Sequence, residues 1–183
     1  LLLTDFYLPN PSANGICIKK LNEEYANKGY NVSVVAYGIG DFIIEEKIDN
    51  VKVYRIKAPK FYQVREKNNA GKYLQIMRLL RYLRIIVHAF QYPLIYPYFA
   101  LKYRRKVNEV IKKENVTKIV AEYIPIESVW SAMTLKKKYR NIKVNTYIVD
   151  TFTQGINEIS HPFFGWTSSI YERKLLENID NFF

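Results

Sequence analysis

The side chains that could bind or transform a ligand gather at the ends of apolar, strand-like runs. Asp5 follows Leu1-Leu2-Leu3-Thr4 and opens the loop Asp5-Phe6-Tyr7-Leu8-Pro9-Asn10-Pro11-Ser12-Ala13-Asn14-Gly15. Glu122 and Tyr123 end the run from Lys118, and Asp150 and Thr151 follow the run ending in Tyr147-Ile148-Val149. The first loop is the most informative, because it carries glycine where an amphipathic stretch, Ile16 to Lys28, begins. A glycine there lets backbone N–H groups approach a ligand, and a helix N-terminus favours negative charge, so phosphate is the guest this chemistry suits. The lone Gly15 is not a G-x-G-x-x-G fingerprint, and no Walker lysine accompanies it. The competing role of the unit is to supply the first strand and helix of a core.

Positioning these residues requires alternating strands and helices. Ile18, Leu21 and Tyr25 recur at helical spacing, Asn14 is a candidate cap, and Gly29 ends the pattern before the strand Val32 to Ala36. Gly38-Ile39-Gly40-Asp41 breaks the chain, and Val51 to Ile56 alternates as a half-buried strand. Lys72 to Gln91 predicts a helix with Ile76, Leu79, Leu80, Leu83, Ile86, Val87 and Phe90 on one face and Arg78, Arg81, Arg84 and His88 opposite. Pro93 and Pro97 stop it, and a second basic helix follows from Tyr98 to Glu114. A strand at 118–122, a helix over Ile126–Tyr139, a strand Lys143–Val149, a helix Trp166–Leu176 and a last short strand complete the order. This alternation predicts an α/β fold: a doubly wound, mostly parallel, Rossmann-like sheet with helices on both faces. Ligands then belong at the carboxyl ends of the strands, in the loops Asp5–Gly15, Ala36–Asp41, Glu122–Glu127 and Asp150–His161.

A chain of 183 residues with 49% hydrophobic residues suffices for one domain. The net charge of +11 is concentrated: residues 60–113 hold 13 Lys and Arg against Glu66 and Glu109, while the remainder balances 15 basic with 15 acidic residues. The single Cys17 excludes an internal disulfide framework and fits a reducing compartment. His88 and His161 lie far apart without a CxxC or HExxH arrangement, so no metal site is expected, and no G-x-S-x-G element supports acyl transfer. Glu114 and Glu122 have seven residues between them, but the spacing runs from a helix end through a strand and is taken as coincidence.

The segment Leu1 to Gly15, the following helix, Lys28-Gly29-Tyr30-Asn31-Val32-Ser33-Val34-Val35-Ala36-Tyr37-Gly38 and the later Tyr147-Ile148-Val149-Asp150-Thr151-Phe152 resemble the N-terminal half of family 4 glycosyltransferases. Such enzymes pair two Rossmann-like domains across a cleft, the GT-B architecture. The resemblance implies that residues 1–183 form the acceptor-side domain, with a basic helical excursion at about 58–114 and the C-terminal donor domain absent. A start inside a strand, without methionine, and an end at Asn181-Phe182-Phe183 agree with that expectation. It further implies transfer from a nucleotide-sugar donor to a glycan or lipid-linked acceptor, with retention of configuration and no cofactor. This fragment alone would be inactive.

Carried onto this chain, the resemblance makes Ser12, Asn14, Gly15, Glu122, Tyr123, Asp150 and Thr151 the candidate donor- and acceptor-binding residues. Two departures stand out: Ala13-Asn14-Gly15 replaces the two glycines common in the first loop, and no histidine occupies the Glu122 region. Glu122 could equally cap a helix or pair with a lysine, and Asp150 could cap a turn. No catalytic residue is assigned. Three readings of the basic segment remain: packing with a solvated basic face, contact of Arg78, Arg81, Arg84, Arg104 and Arg105 with a membrane or lipid phosphate, and nucleic acid, which no recognisable module supports. The expected location is cytoplasmic, peripheral on the inner face of the membrane. The alternative to an enzyme is a non-enzymatic module binding anionic lipid or nucleotide.

Overall fold

The structure, a computed structural model, describes residues 1–60, 71–148, 162–177 and 179–182. Apolar residues that alternate along Leu2–Phe6 (β1), Ser33–Gly38 (β2), Val51–Lys57 (β4), Lys118–Glu122 (β5) and Lys143–Tyr147 (β6) feed two cores, one on each side of a single sheet. Leu3, Val35, Ile119, Ala121 and Val144 face Pro97–Glu114 (α3) and Ile126–Lys136 (α4). Leu2, Val34, Val53 and Val120 face Ile18 of Ala13–Asn27 (α1). Both faces are therefore covered, as a parallel sheet requires.

The sheet has seven strands in the order β3-β4-β2-β1-β5-β6-β7, with Glu45–Ile48 as β3 and Asn181–Phe182 as β7. All pairs are parallel except β3 with β4. Without β3 this is the doubly wound order, and its direction reverses between β1 and β5. The predicted fold class is the observed one. Gly71–Val87 (α2), a 3-10 turn at Ala89–Gln91 and Pro162–Leu176 (α5) complete the described elements.

Three local expectations differ from the structure. The strand β3 is an addition: Asp49 and Asn50, both at positive φ, form a two-residue hairpin that folds Glu45–Ile48 back onto β4. That hairpin converts β4 from an edge into an interior strand, so Val53, Tyr54, Arg55 and Ile56 are all buried instead of alternating. The cap of α1 is Ser12, whose hydroxyl accepts from Gly15 N–H, and Asn14 lies inside the first turn. At the other end Gly29, at φ +82°, closes the helix as expected, with Tyr30 N–H donating to Tyr25 C=O and Gly29 N–H to Ala26 C=O.

The third difference concerns α2. Its apolar stripe does not pack on the sheet: Ile76, Leu79, Leu80, Leu83, Ile86 and Val87 are all exposed, and only Ile85 of this helix is buried among its described side chains.

Candidate functional site

The reversal of strand order between β1 and β5 opens the place where doubly wound sheets bind ligands. Five groups between Asp5 and Gly15 organise this edge. Asp5 Oδ1 accepts from Phe6 N–H at 2.6 Å and from the Ser12 hydroxyl at 2.5 Å, and Ser12 Oγ accepts from Gly15 N–H at 2.9 Å. This chain of bonds ties the end of β1 to the start of α1. Asn14 Nδ2 donates to Ile124 C=O at 3.4 Å, bridging α1 to the turn after β5 across the reversal point.

Gly15 serves close packing. A Cβ there would overlap the carbonyl oxygen of Phe6 and crowd Pro11, so only glycine lets the first turn of α1 sit against the end of β1. No acidic residue lies in that turn, so nothing on the helix itself opposes an anion at its N-terminus.

Glu122 and Tyr123 are each 1% exposed, so they lie beneath the edge, not on an open wall. Glu122 Oε2 accepts from Thr4 Oγ1 at 2.5 Å, while Oε1 is buried without a partner. Burial, with Asp5 nearby, pushes its carboxyl up to about 8, against the opposing bonds from Thr4 and the Asp5 backbone. Burial thus favours the protonated carboxyl. It neither caps α4 nor pairs with a lysine; the hydroxyl of Ser128 donates to the Glu122 and Pro125 carbonyls instead. Tyr123 belongs to the core under α3 and α4. Glu127, also buried, is pushed up to about 7 by desolvation. Asp150, Thr151 and His161 lie outside the described residues.

A cavity of about 650 Å³ opens beside the first loop, lined among others by Asp5, Tyr37, Asp41, Phe42, Glu46 and Arg55. Arg55 organises it and was not marked by the sequence pattern, because a strand position between Tyr54 and Ile56 carries no sign of a buried cation. It is 5% exposed; its guanidinium donates to the Glu46 carboxylate, to Leu8 C=O and, at 3.4 Å, to Ile43 C=O. One side chain therefore pins the β1–α1 loop, the β2–β3 loop and β3. With Arg55 committed to Glu46, Asp5 and Asp41 leave the cavity acidic, a lining that accepts hydroxyls and repels anions.

The five arginines are not equivalent. Arg104 Nε donates to Thr134 Oγ1 at 3.1 Å, which fixes α3 to α4 and gives it a structural role. Arg105 is exposed beside Lys102, Lys106 and Lys57 around a shallow groove. Arg78, Arg81 and Arg84 all lie on α2, with Arg84 stacked 5.0 Å over Tyr96. Among the described residues no group of His, Cys, Asp and Glu could hold a metal ion.

In fold the chain is similar to a solved structure from E. coli described as trehalose-6-phosphate bound with UDP-2-fluoro glucose, a GT-B glycosyltransferase, with a TM-score of 0.52 over 99% of this chain. The fold common to the two is a mostly parallel, Rossmann-like α/β sheet flanked by helices. Sequence identity is 11%, so the likeness is one of fold, and this chain spans 38% of the neighbour's length. No family model and no curated protein matches the chain. What is shared is the Rossmann-like α/β fold of the part matched, and nothing in the comparisons singles out family 4.

Proposed function

We propose that this chain is the acceptor-side domain of a two-domain glycosyltransferase of family 4 type, and that a donor-binding domain completes it. The observation that carries the reading is the reversal of strand order between β1 and β5, with a serine-capped helix N-terminus on one side of it and an acid-lined cavity beside it. The donor is a nucleotide-sugar, whose diphosphate meets the first-turn N–H groups of Ala13 and Asn14. The acceptor is a glycan or lipid-linked glycan whose hydroxyls bind Asp5 and Asp41, with Asp150 and Thr151 from the fourth loop. Holding diphosphate and hydroxyl together supplies rate through positioning and stabilisation of leaving-group charge. The likeness to family 4 extends the reading to retention of configuration and to a cytoplasmic enzyme without a cofactor.

The test joins this chain to the sequence that follows it in its gene and measures sugar transfer from UDP-, GDP- and ADP-hexoses to soluble and lipid-linked glycans. Transfer that falls at least about tenfold on Asp41→Asn supports the reading, a loss on the scale of one hydrogen bond made in the transition state. Turnover by residues 1–183 alone, or no consumption of any nucleotide-sugar by the longer product, overturns it and leaves the non-enzymatic module.

A further inference from the structure

The helix α2 faces the wrong way for a soluble α/β domain. At 100° per residue, Ile76, Leu79, Leu80, Leu83, Ile86 and Val87 share one stripe, whereas Met77, Arg81, Ile85 and His88 fall on the other side. The side that touches the body is the second: Ile85 is 3% exposed, packed with Tyr92 and Ile95, and Met77, Arg81 and His88 are half-buried. The apolar stripe, together with Phe90, points outward with each residue 40% to 80% exposed. Among the described residues no helix is long and apolar enough to cross a membrane.

Charge decides what covers it. From Lys67 to Asn108 the chain has no acidic residue and nine basic ones. Arg84 borders the stripe on one side, Tyr82 stands exposed at its other margin with Arg78 beyond it, and Tyr98, Leu101 and Arg105 are exposed on α3. An apolar stripe bordered by arginines and tyrosines is the pattern of a helix lying in the headgroup region, where arginine stems reach lipid phosphates. A second copy of the chain fits poorly, since pairing two such stripes about a two-fold axis sets like charges against each other with no acid between them.

We propose that the outward stripe of α2 docks this protein in the interface of an anionic membrane leaflet, with Arg78 and Arg84 engaging lipid phosphates at its edges. This surface is independent of the strand-end site and of the reaction proposed for it.

Flotation of the whole chain with vesicles of equimolar phosphatidylglycerol and phosphatidylcholine, and with phosphatidylcholine alone, tests the proposal. The protein is expected to float with the anionic vesicles and to remain behind with the neutral ones. The pair Leu83→Asp with Ile86→Asp is expected to lower partitioning roughly tenfold or more, because it removes buried apolar area and adds repulsion. The milder pair Leu79→Ser with Ile86→Ser gives the same direction, and both fold normally because these positions are exposed. Absence of flotation by the parent chain, equal flotation on neutral vesicles, or equal flotation of either variant overturns it. A dimer in size-exclusion chromatography that both variants abolish overturns it in favour of a second copy.

Discussion

Glu122 sits where its ionised form is least welcome: 1% exposed, with one oxygen bonded to Thr4 and the other without a partner. Its carboxyl titrates near 8 in the folded chain, against an ordinary value near 4.5. Between those values the native state holds a proton that the unfolded state has released, so stability falls as pH rises through the window and levels off above about 8. Glu122→Gln removes that dependence. The variant is expected to gain on the parent by about 2–4 kcal/mol between pH 5 and pH 8, the size of a shift of a few pKa units. Urea unfolding across that range checks it through slope and not offset, since any cost of the buried amide is independent of pH; parallel curves would sink the argument. Glu127, pushed up to about 7, slopes in the same sense in both proteins and cancels from the comparison. The position of Glu122 at a strand end was legible in the sequence. Its burial was not, because that depends on β1 pairing beside β5 and setting Thr4 against the carboxyl, a contact between residues more than a hundred positions apart.

At the level of elements, the parallel order could be read from alternating periods of hydrophobicity, and Gly15 from its place at a helix start. What could not be read was the β3–β4 hairpin, where Glu45–Ile48 carries too much charge to look like a strand and Asp49-Asn50 is an uncommon two-residue turn. That hairpin is what buries Arg55 and lets it clamp two strand-end loops. Arg55→Met leaves the Glu46 carboxylate and the carbonyls of Leu8 and Ile43 without their donor, and is expected to cost about 3 kcal/mol. Adding Glu46→Leu is expected to recover most of that loss, because the penalty lies in the abandoned charge and not in the missing pair. Urea midpoints of the single and double variants measure this. Equal stability of the two would mean that Glu46, 24% exposed at its side chain, finds water once the arginine is gone. The direction of α2 was also illegible, since periodicity identifies an apolar stripe but not whether the body or the surroundings receive it.

For the molecule as a whole, +11 is a large charge for 183 residues, and all of it belongs to residues 60–113. Two effects of salt oppose each other. Screening weakens the exposed ion pairs Lys19–Glu23, Lys52–Glu114, Lys113–Glu45 and Arg173–Glu177, which contribute little each at the surface. Screening also relieves the mutual repulsion of the basic segment, where α2 and α3 add cations along neighbouring elements with almost no acid among them. The Debye length shrinks from about 30 Å at 0.01 M salt to about 8 Å at 0.15 M, so the repulsion, which acts over many pairs at such distances, fades further than pairs in direct contact. Repulsion is therefore the term that changes most, and the melting temperature is expected to rise by a few degrees over that range, the size produced by roughly 1 kcal/mol in a domain of this length. Calorimetry in sodium chloride, with sucrose at matched osmolality as the uncharged control, checks it. A fall with salt would mean that the four surface pairs outweigh the basic segment, which would then be neutralised by partners within the chain and would have less charge to offer an anionic surface.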